Sequence, residues 1–213
     1  MMSEPEGGLE ESGNEQARPL AESALYHVCV IQYPVVTMNR EINILGTLAM
    51  SLSDDVRAAT SKVAGMSGET AAAIVMLGAN PGLTVGQVAH ALALSPSGAV
   101  RLVDRLAEEG LVVRTHGQDQ RTVTLELTES GMTMRLAALK ERERILRKAL
   151  TGLSEEEVAM LGQFIDRMLR NLMVKPDQDY RFCRMCDEDA CSPHCPIEDR
   201  RCELEQPGHA LAL

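Results

Sequence analysis

The sequence predicts a mainly helical protein built around a helix-turn-helix with a β-hairpin attached. Three observations carry this. Apolar residues make up 45% of the 213-residue chain, yet aromatics are only 2% and Trp is absent. A core of Leu, Val, Ile, Ala and Met suits packed helices better than a sandwich of strands. Near the middle, two short helical patterns open on capping signals and are separated by about three residues, the spacing of a helix-turn-helix. Two β-rich runs around a polar, Gly- and Asp-containing turn come next, which is a hairpin signal and would form a wing.

The elements follow in order. Residues 1–22 form an acidic lead rich in Pro, Gly, Glu and Ser, with the composition of disorder. Residues 23–36 form an apolar arm in which Pro34 breaks any helix. The main domain is expected over 37–174. It opens with a helix whose apolar residues Ile42, Leu45, Leu48 or Ala49, Leu52, Val56, Ala59 and Val63 recur at steps of three and four, and which ends at Gly65 and Gly68. The stretch GETAAAIVMLGAN predicts a second helix. Thr84 and Gln87 have the form of a capping box for a third. Ser95 is a good N-cap and Pro96 suits the first position of a fourth, expected to run to Glu109, with Gly110 as its left-handed cap. Val100, Leu102 or Val103, and Leu106 are expected to face inward there. After the hairpin, Thr128 caps a long helix carrying KERERILRK, read as a solvated face. Ser154 and Glu157 make a second capping box. The narrow stripe Val158, Leu161, Ile165, Met168, Leu172 suits packing on another helix. Residues 175–213 form an acidic, cysteine-rich tail.

The net charge of −10, taken alone, opposes nucleic-acid binding, but its distribution does not. The acidity is confined to residues 1–22 and 177–213, and the centre is neutral. Affinity for DNA follows local phosphate contacts, so a neutral centre with basic points is compatible with it. No run approaches the ~18 apolar residues of a spanning helix. The acidic N-terminus has no signal-peptide pattern. A cytoplasmic location with no membrane association is expected. No paired catalytic carboxylates, Ser–His arrangement or phosphate-cradling Gly loop points to an enzyme.

Residues 95–131, SPSGAVRLVDRLAEEGLVVRTHGQDQRTVTLELTESG, resemble the MarR family of bacterial transcriptional regulators. The resemblance rests on RLVDRL followed by GLV, on Asp119 and Arg121 in the hairpin, and on Leu127, Thr128 and Gly131 at the entry to the next helix. It extends over about residues 38–174 and leaves out the arm and the tail. Gln120 departs from it, standing where a further Arg is common. The resemblance implies a homodimer joined through long N- and C-terminal helices, with each recognition helix in a major groove and each wing at a flanking minor groove. Double-stranded DNA with a pseudo-palindromic site is the implied partner. A small-molecule effector is a further possible partner.

Within that frame Ser95, Ser97, Gly98 and Arg101 lie at the start of the recognition helix, where side chains approach bases and phosphates. Arg105, one turn further on, is read as a phosphate contact or the partner of a neighbouring acid. Arg121 is the candidate for the minor groove, oriented by Asp119. The alternative for that pair is an exposed turn ion pair. Thr115, His116 and Gln118 are possible DNA-backbone contacts. Cys29, four residues before Tyr33, is similar to the reactive cysteine of peroxide-sensing members of the family. Pro34 interrupts the helix there, and Cys29 reads first as a buried structural cysteine, with redox sensing as the alternative.

Cys183, Cys186, Cys191 and Cys195 have the short spacing of a metal knuckle, with His194 as an alternative ligand. Zinc is the expected metal. The Cys195-Pro196 ending also fits an iron–sulfur run, but a middle spacing of four fits it less well. The flanking acids and prolines are turn-forming, so a metal is expected to supply the order that the segment's own core cannot. Reactive thiols without metal, and an inert tail, remain open. The reading as a whole is a dimeric DNA-binding repressor responsive to metal or oxidation. A winged-helix protein–protein module and a thiol or metal redox protein are the alternatives.

Overall fold

The computed structural model describes residues 39–65, 67–116 and 121–206. The acidic lead, the arm with Cys29, and Gln118 and Asp119 at the wing tip lie outside the described residues. Helix α1 (Arg40–Ala64) opens on Asn39, whose side chain accepts from the Glu41 amide, and closes on Gly65 at φ 63°. Helix α2 (Gly68–Ala79) is buried from Thr70 to Leu77. Its run of Ala, Ile and Val packs against α1, α5, α3 and β2. Helix α3 (Val85–Leu92) carries the expected capping box. The Thr84 hydroxyl accepts from the Gln87 amide, and the Gln87 side chain accepts from Thr84.

Helix α4 (Pro96–Glu108) begins with Ser95 Oγ accepting from Gly98 at 3.1 Å and ends before Gly110, at φ 69°. Strands β1 (Val112–His116) and β2 (Val123–Leu127) pair antiparallel, with Val112 opposite Leu127 and His116 opposite Val123. The base of this wing is tied to the body by a bridge between Leu83 and Leu125. Helices α5 (Glu129–Ala149) and α6 (Glu155–Leu172) complete the domain, α6 opening on the Ser154–Glu157 capping box. One core joins these pieces: Ile74, Leu77, Val88, Val103, Leu106 and Leu125 are fully buried within it. Each such side chain contributes about 1.5–3 kcal/mol of burial.

The junction of wing and α5 explains the Leu-Thr-x-x-Gly motif. Thr128 Oγ1 donates to Gly110 O at 2.6 Å and accepts from Gly131 N at 3.0 Å, so one hydroxyl ties the end of α4 to the start of α5. A Cβ on Gly131 would lie 2.1 Å from the Leu111 carbonyl oxygen, so only glycine fits.

Among the described residues, helices α1 and α6 keep much of their apolar surface open. Leu45 and Leu48 of α1 are exposed by 44% and 49%, and α6 has no buried residue. Phe164, Ile165, Met168 and Leu172 line its open face. The periodicity that predicts these helices is there, but its apolar stripe faces outward in the single chain. Glu143, Arg144, Arg147 and Lys148 of the KERERILRK run are exposed, with Arg144 paired to Glu141 and Arg147 to Glu143, while Arg142 and Leu146 are half-buried.

The tail departs from expectation. Beyond α6, residues Pro176–Gln178 form a 3-10 turn, followed by α7 (Asp179–Cys183), α8 (Glu188–Cys191) and α9 (Pro196–Glu205). These helices dock on the winged domain. Tyr180 packs against the main core, Met185 packs against Val75, Ala138 and Leu139, and Ile197 is buried. Arg170 of α6 is held by Asp166 on its own helix and by Asp199 and Glu203 of α9, at 2.8–2.9 Å. These carboxylates, Asp166 foremost, hold its guanidinium more firmly protonated than usual. The segment has little core of its own, and its few apolar residues find their partners on other elements.

Candidate nucleic-acid interface and the cysteine segment

Helix α4 buries Ala99, Leu102, Val103 and Leu106, the i, i+3, i+4, i+7 face. Its opposite face carries Ser97, Arg101 and Arg105, all exposed. Neither arginine makes an ion pair among the described residues. Ser95 and Ser97 sit with their hydroxyls 3.4 Å apart at the positive end of the helix dipole, where free backbone N–H groups favour an anion. Gly98 lies beneath Ser95 Oγ, which a Cβ would meet at 3.1 Å. Its role is to leave room for the cap. The wing is braced against α4 by an ion pair between Arg114 and Asp104.

Val100 corrects the sequence reading. It was expected inward, but it is 45% exposed. Consecutive helical residues point about 100° apart, and the small Ala99 takes the inward place. Val100 therefore stands beside Ser97 on the open face, where it offers an apolar surface. The signal that could have found it was the choice of register: Ala99 also completes an inward stripe with Leu102, Val103 and Leu106.

On the wing, Arg121 is exposed, and its proposed partner Asp119 lies outside the described residues. The Thr115 hydroxyl lies 2.9 Å from that of Thr124 and donates to Glu126 at 3.2 Å. It is committed within the hairpin and stiffens it.

All four tail thiols expected to act together do line one cavity, of about 390 Å³, between α7, α8, α9 and the end of α2. His194 does not line it. Cys186 Sγ and Cys191 Sγ lie 3.5 Å apart, close to the roughly 3.8 Å of two sulfurs on one tetrahedral zinc. A closed site needs more than a pair. Among the described residues no three His, Cys, Asp or Glu side chains are disposed to hold a metal ion, so the arrangement gives the zinc expectation no support. Docking and ion pairs also hold the segment in place.

The thiols differ in character. Hydrogen bonding from Cys183, with further help from Cys191 and the Arg142 charge, outweighs burial and lowers Cys186 to about 6. Burial and the bond to Cys186 push Cys191 up to about 12. Cys183 is raised by its bond to Cys186. Cys202 is exposed and apart from the cavity.

A helix-turn-helix whose second helix is open, followed by a braced hairpin, defines a winged helix-turn-helix protein. Residues 64–122 match the model of the MarR family. The HTH-type transcriptional repressor MdtR of Bacillus subtilis (strain 168) is 34% identical over 77 residues, 36% of this chain and half the length of that relative. Solved structures share the fold. A MarR family protein from Bacillus stearothermophilus superposes with a TM-score of 0.56 at 23% identity, over 63% of this chain and 98% of that one. FabT of Streptococcus pneumoniae, solved in complex with DNA, gives 0.52 at 21%, over 62% and 96%. No helix among the described residues is long and apolar enough to cross a membrane.

Proposed function

We propose that the chain is a dimeric, sequence-specific DNA-binding repressor acting in the cytoplasm. The observation that carries this is the open face of α4, where Ser97, Val100 and Arg101 surround a capped helix N-terminus with no partner for the arginine among the described residues. An Arg there can take guanine in a bidentate contact, and Val100 can pack on a thymine methyl group. Similarity to a curated repressor and to a fold solved on DNA supports the reading. The uncovered stripes of α1 and α6 supply the dimer surface. Two-fold symmetry then requires a pseudo-palindromic operator, and repression is steric. A second cavity of about 410 Å³, lined by Arg57, Arg142, Arg181 and Arg184 with Phe182 and Met185, has room for an anionic small-molecule effector.

The test is selection of duplexes from a randomised library, followed by titration of variants on the winner. Arg101→Ala is expected to cost about 1–3 kcal/mol and to relax preference at one base position per half-site. Phe164→Glu is expected to yield monomers that bind a single half-site weakly. If charge reversal at Arg101 and Arg121 leaves affinity and its salt dependence intact, the winged helix is instead a protein-binding module.

A further inference from the structure

We propose that Cys186 and Cys191 form a thiol–disulfide exchange site for small uncharged or cationic disulfides, and that closing it weakens the grip of the chain on DNA. The second half rests on the DNA-binding reading above; the first does not.

Three observations carry it. The two sulfurs are 3.5 Å apart, one at the turn after α7 and the other ending α8, so a small closing movement makes a bond of about 2.05 Å. They line a cavity large enough for a small organic disulfide. That cavity is acidic: Asp179, Glu188, Asp189 and Glu198 line it against Arg201 alone, and Arg201 is already paired with Asp179 at 3.5 Å and Glu198 at 3.6 Å. Four carboxylates against one guanidinium leave the wall net negative, which repels anionic disulfides and concentrates cationic ones.

The chemistry balances with the disulfide as oxidant. The Cys186 thiolate attacks one sulfur of RS–SR; a Cys186–S–SR bond forms and RS⁻ leaves. The Cys191 thiol gives up its proton and attacks Cys186 Sγ. The Cys186–Cys191 bond forms and the second thiol leaves as RSH. Two protein thiols are oxidised and one disulfide is reduced to two thiols.

The route to DNA is the position of α8. Glu188, in the same turn as Cys191, accepts from Asn80 Nδ2 at 3.1 Å, and Asn80 is the C-cap of α2. The helix-turn-helix begins five residues later. The segment also reaches α3, with which α7 packs, and the exposed-face helix α6 through Arg170. Drawing Cys191 toward Cys186 pulls on Glu188 and hence on the support of α3, while α9 keeps its hold on α6.

The experiment uses the full chain, reduced, with cystamine as cationic and dithiodiglycolate as anionic probe. Peptide mass mapping reads which cysteines join, and hydrogen exchange reads α3. Binding is measured on the duplex selected by the reduced protein. The expected result is a Cys186–Cys191 crosslink, formed at least roughly tenfold faster with cystamine at low salt. Faster exchange in α3, and affinity lowered by at least about fivefold and restored by a dithiol reductant, are expected with it. Cys202→Ser should behave as the parent, and Cys191→Ser should stop at the mixed disulfide on Cys186. The mass map and the exchange need no variant, so a misfolded mutant does not shield the idea. One zinc per chain with all four thiols blocked, a crosslink between other cysteines, or equal rates with the anionic probe overturns the exchange site. A crosslink that leaves affinity unchanged overturns the coupling alone. If no duplex can be selected, the DNA-binding reading fails while the mass map still decides the exchange site.

Discussion

Replacing Gly131 by Ala adds one methyl group at the most crowded backbone contact in the winged domain. The new Cβ would lie 2.1 Å from the Leu111 carbonyl oxygen and 3.2 Å from Leu127 Cδ2. A carbon meets a carbonyl oxygen comfortably at about 3.3 Å, so roughly 1.2 Å of movement must be absorbed. Neither side yields easily. The Leu111 carbonyl also accepts from Thr128 N at 3.1 Å, and Leu111 itself is buried. Moving α5 instead loosens the Thr128 hydroxyl from Gly110 and Gly131. Alanine gains up to about 1 kcal/mol over glycine in a helix, overpacking costs about 1–3, and one weakened hydrogen bond adds about 1. The net expectation is a loss of about 1–3 kcal/mol. Gly86→Ala is the matched control. Its Cβ meets only Thr84 Oγ1, at 3.8 Å, so it should be neutral or stabilising by about 0.5–1 kcal/mol. Urea unfolding followed by circular dichroism, at one protein concentration, measures both. A Gly131→Ala midpoint equal to the parent's would refute the reasoning.

Two further outcomes follow from the tail. Arg170→Ala removes the cation between Asp166, Asp199 and Glu203, so α9 should detach more often and residues 176–205 should be cut several-fold faster by a dilute protease. Unchanged cleavage would mean that the apolar contacts of Ile197 and Tyr180 suffice. For Cys186, the thiolate fraction rises as pH passes about 6, so iodoacetamide should label it at half its plateau rate near that pH and without further gain at pH 8. Cys191, pushed up to about 12, should remain slow throughout. A labelling midpoint for Cys186 near the ordinary 8.5 of a free thiol would contradict the stabilisation of its thiolate by Cys183.

The sequence by itself determined the local grammar. Thr84–Gln87, Ser95–Pro96, Thr128 and Ser154–Glu157 mark helix starts because capping satisfies backbone donors within three residues. Gly65 and Gly110 mark ends because they take left-handed angles. The alternating runs around Gly117 announce the wing for the same short-range reason. Tertiary structure decided what these elements face. Ala99, not Val100, turned inward because it lies in phase with the buried Leu102, Val103 and Leu106. The tail gained order because Tyr180, Met185 and Ile197 reach a core built by residues far away in the chain. The four cysteines entered one cavity, with Cys186 hydrogen-bonded to both Cys183 and Cys191, because the directions of α7, α8 and α9 set where each sulfur points. Asn80 and Glu188 meet across 108 positions, and no pattern of spacing encodes such a contact. Capping and periodicity are properties of a few consecutive residues, whereas burial, pairing and thiol reactivity depend on what the rest of the chain brings alongside.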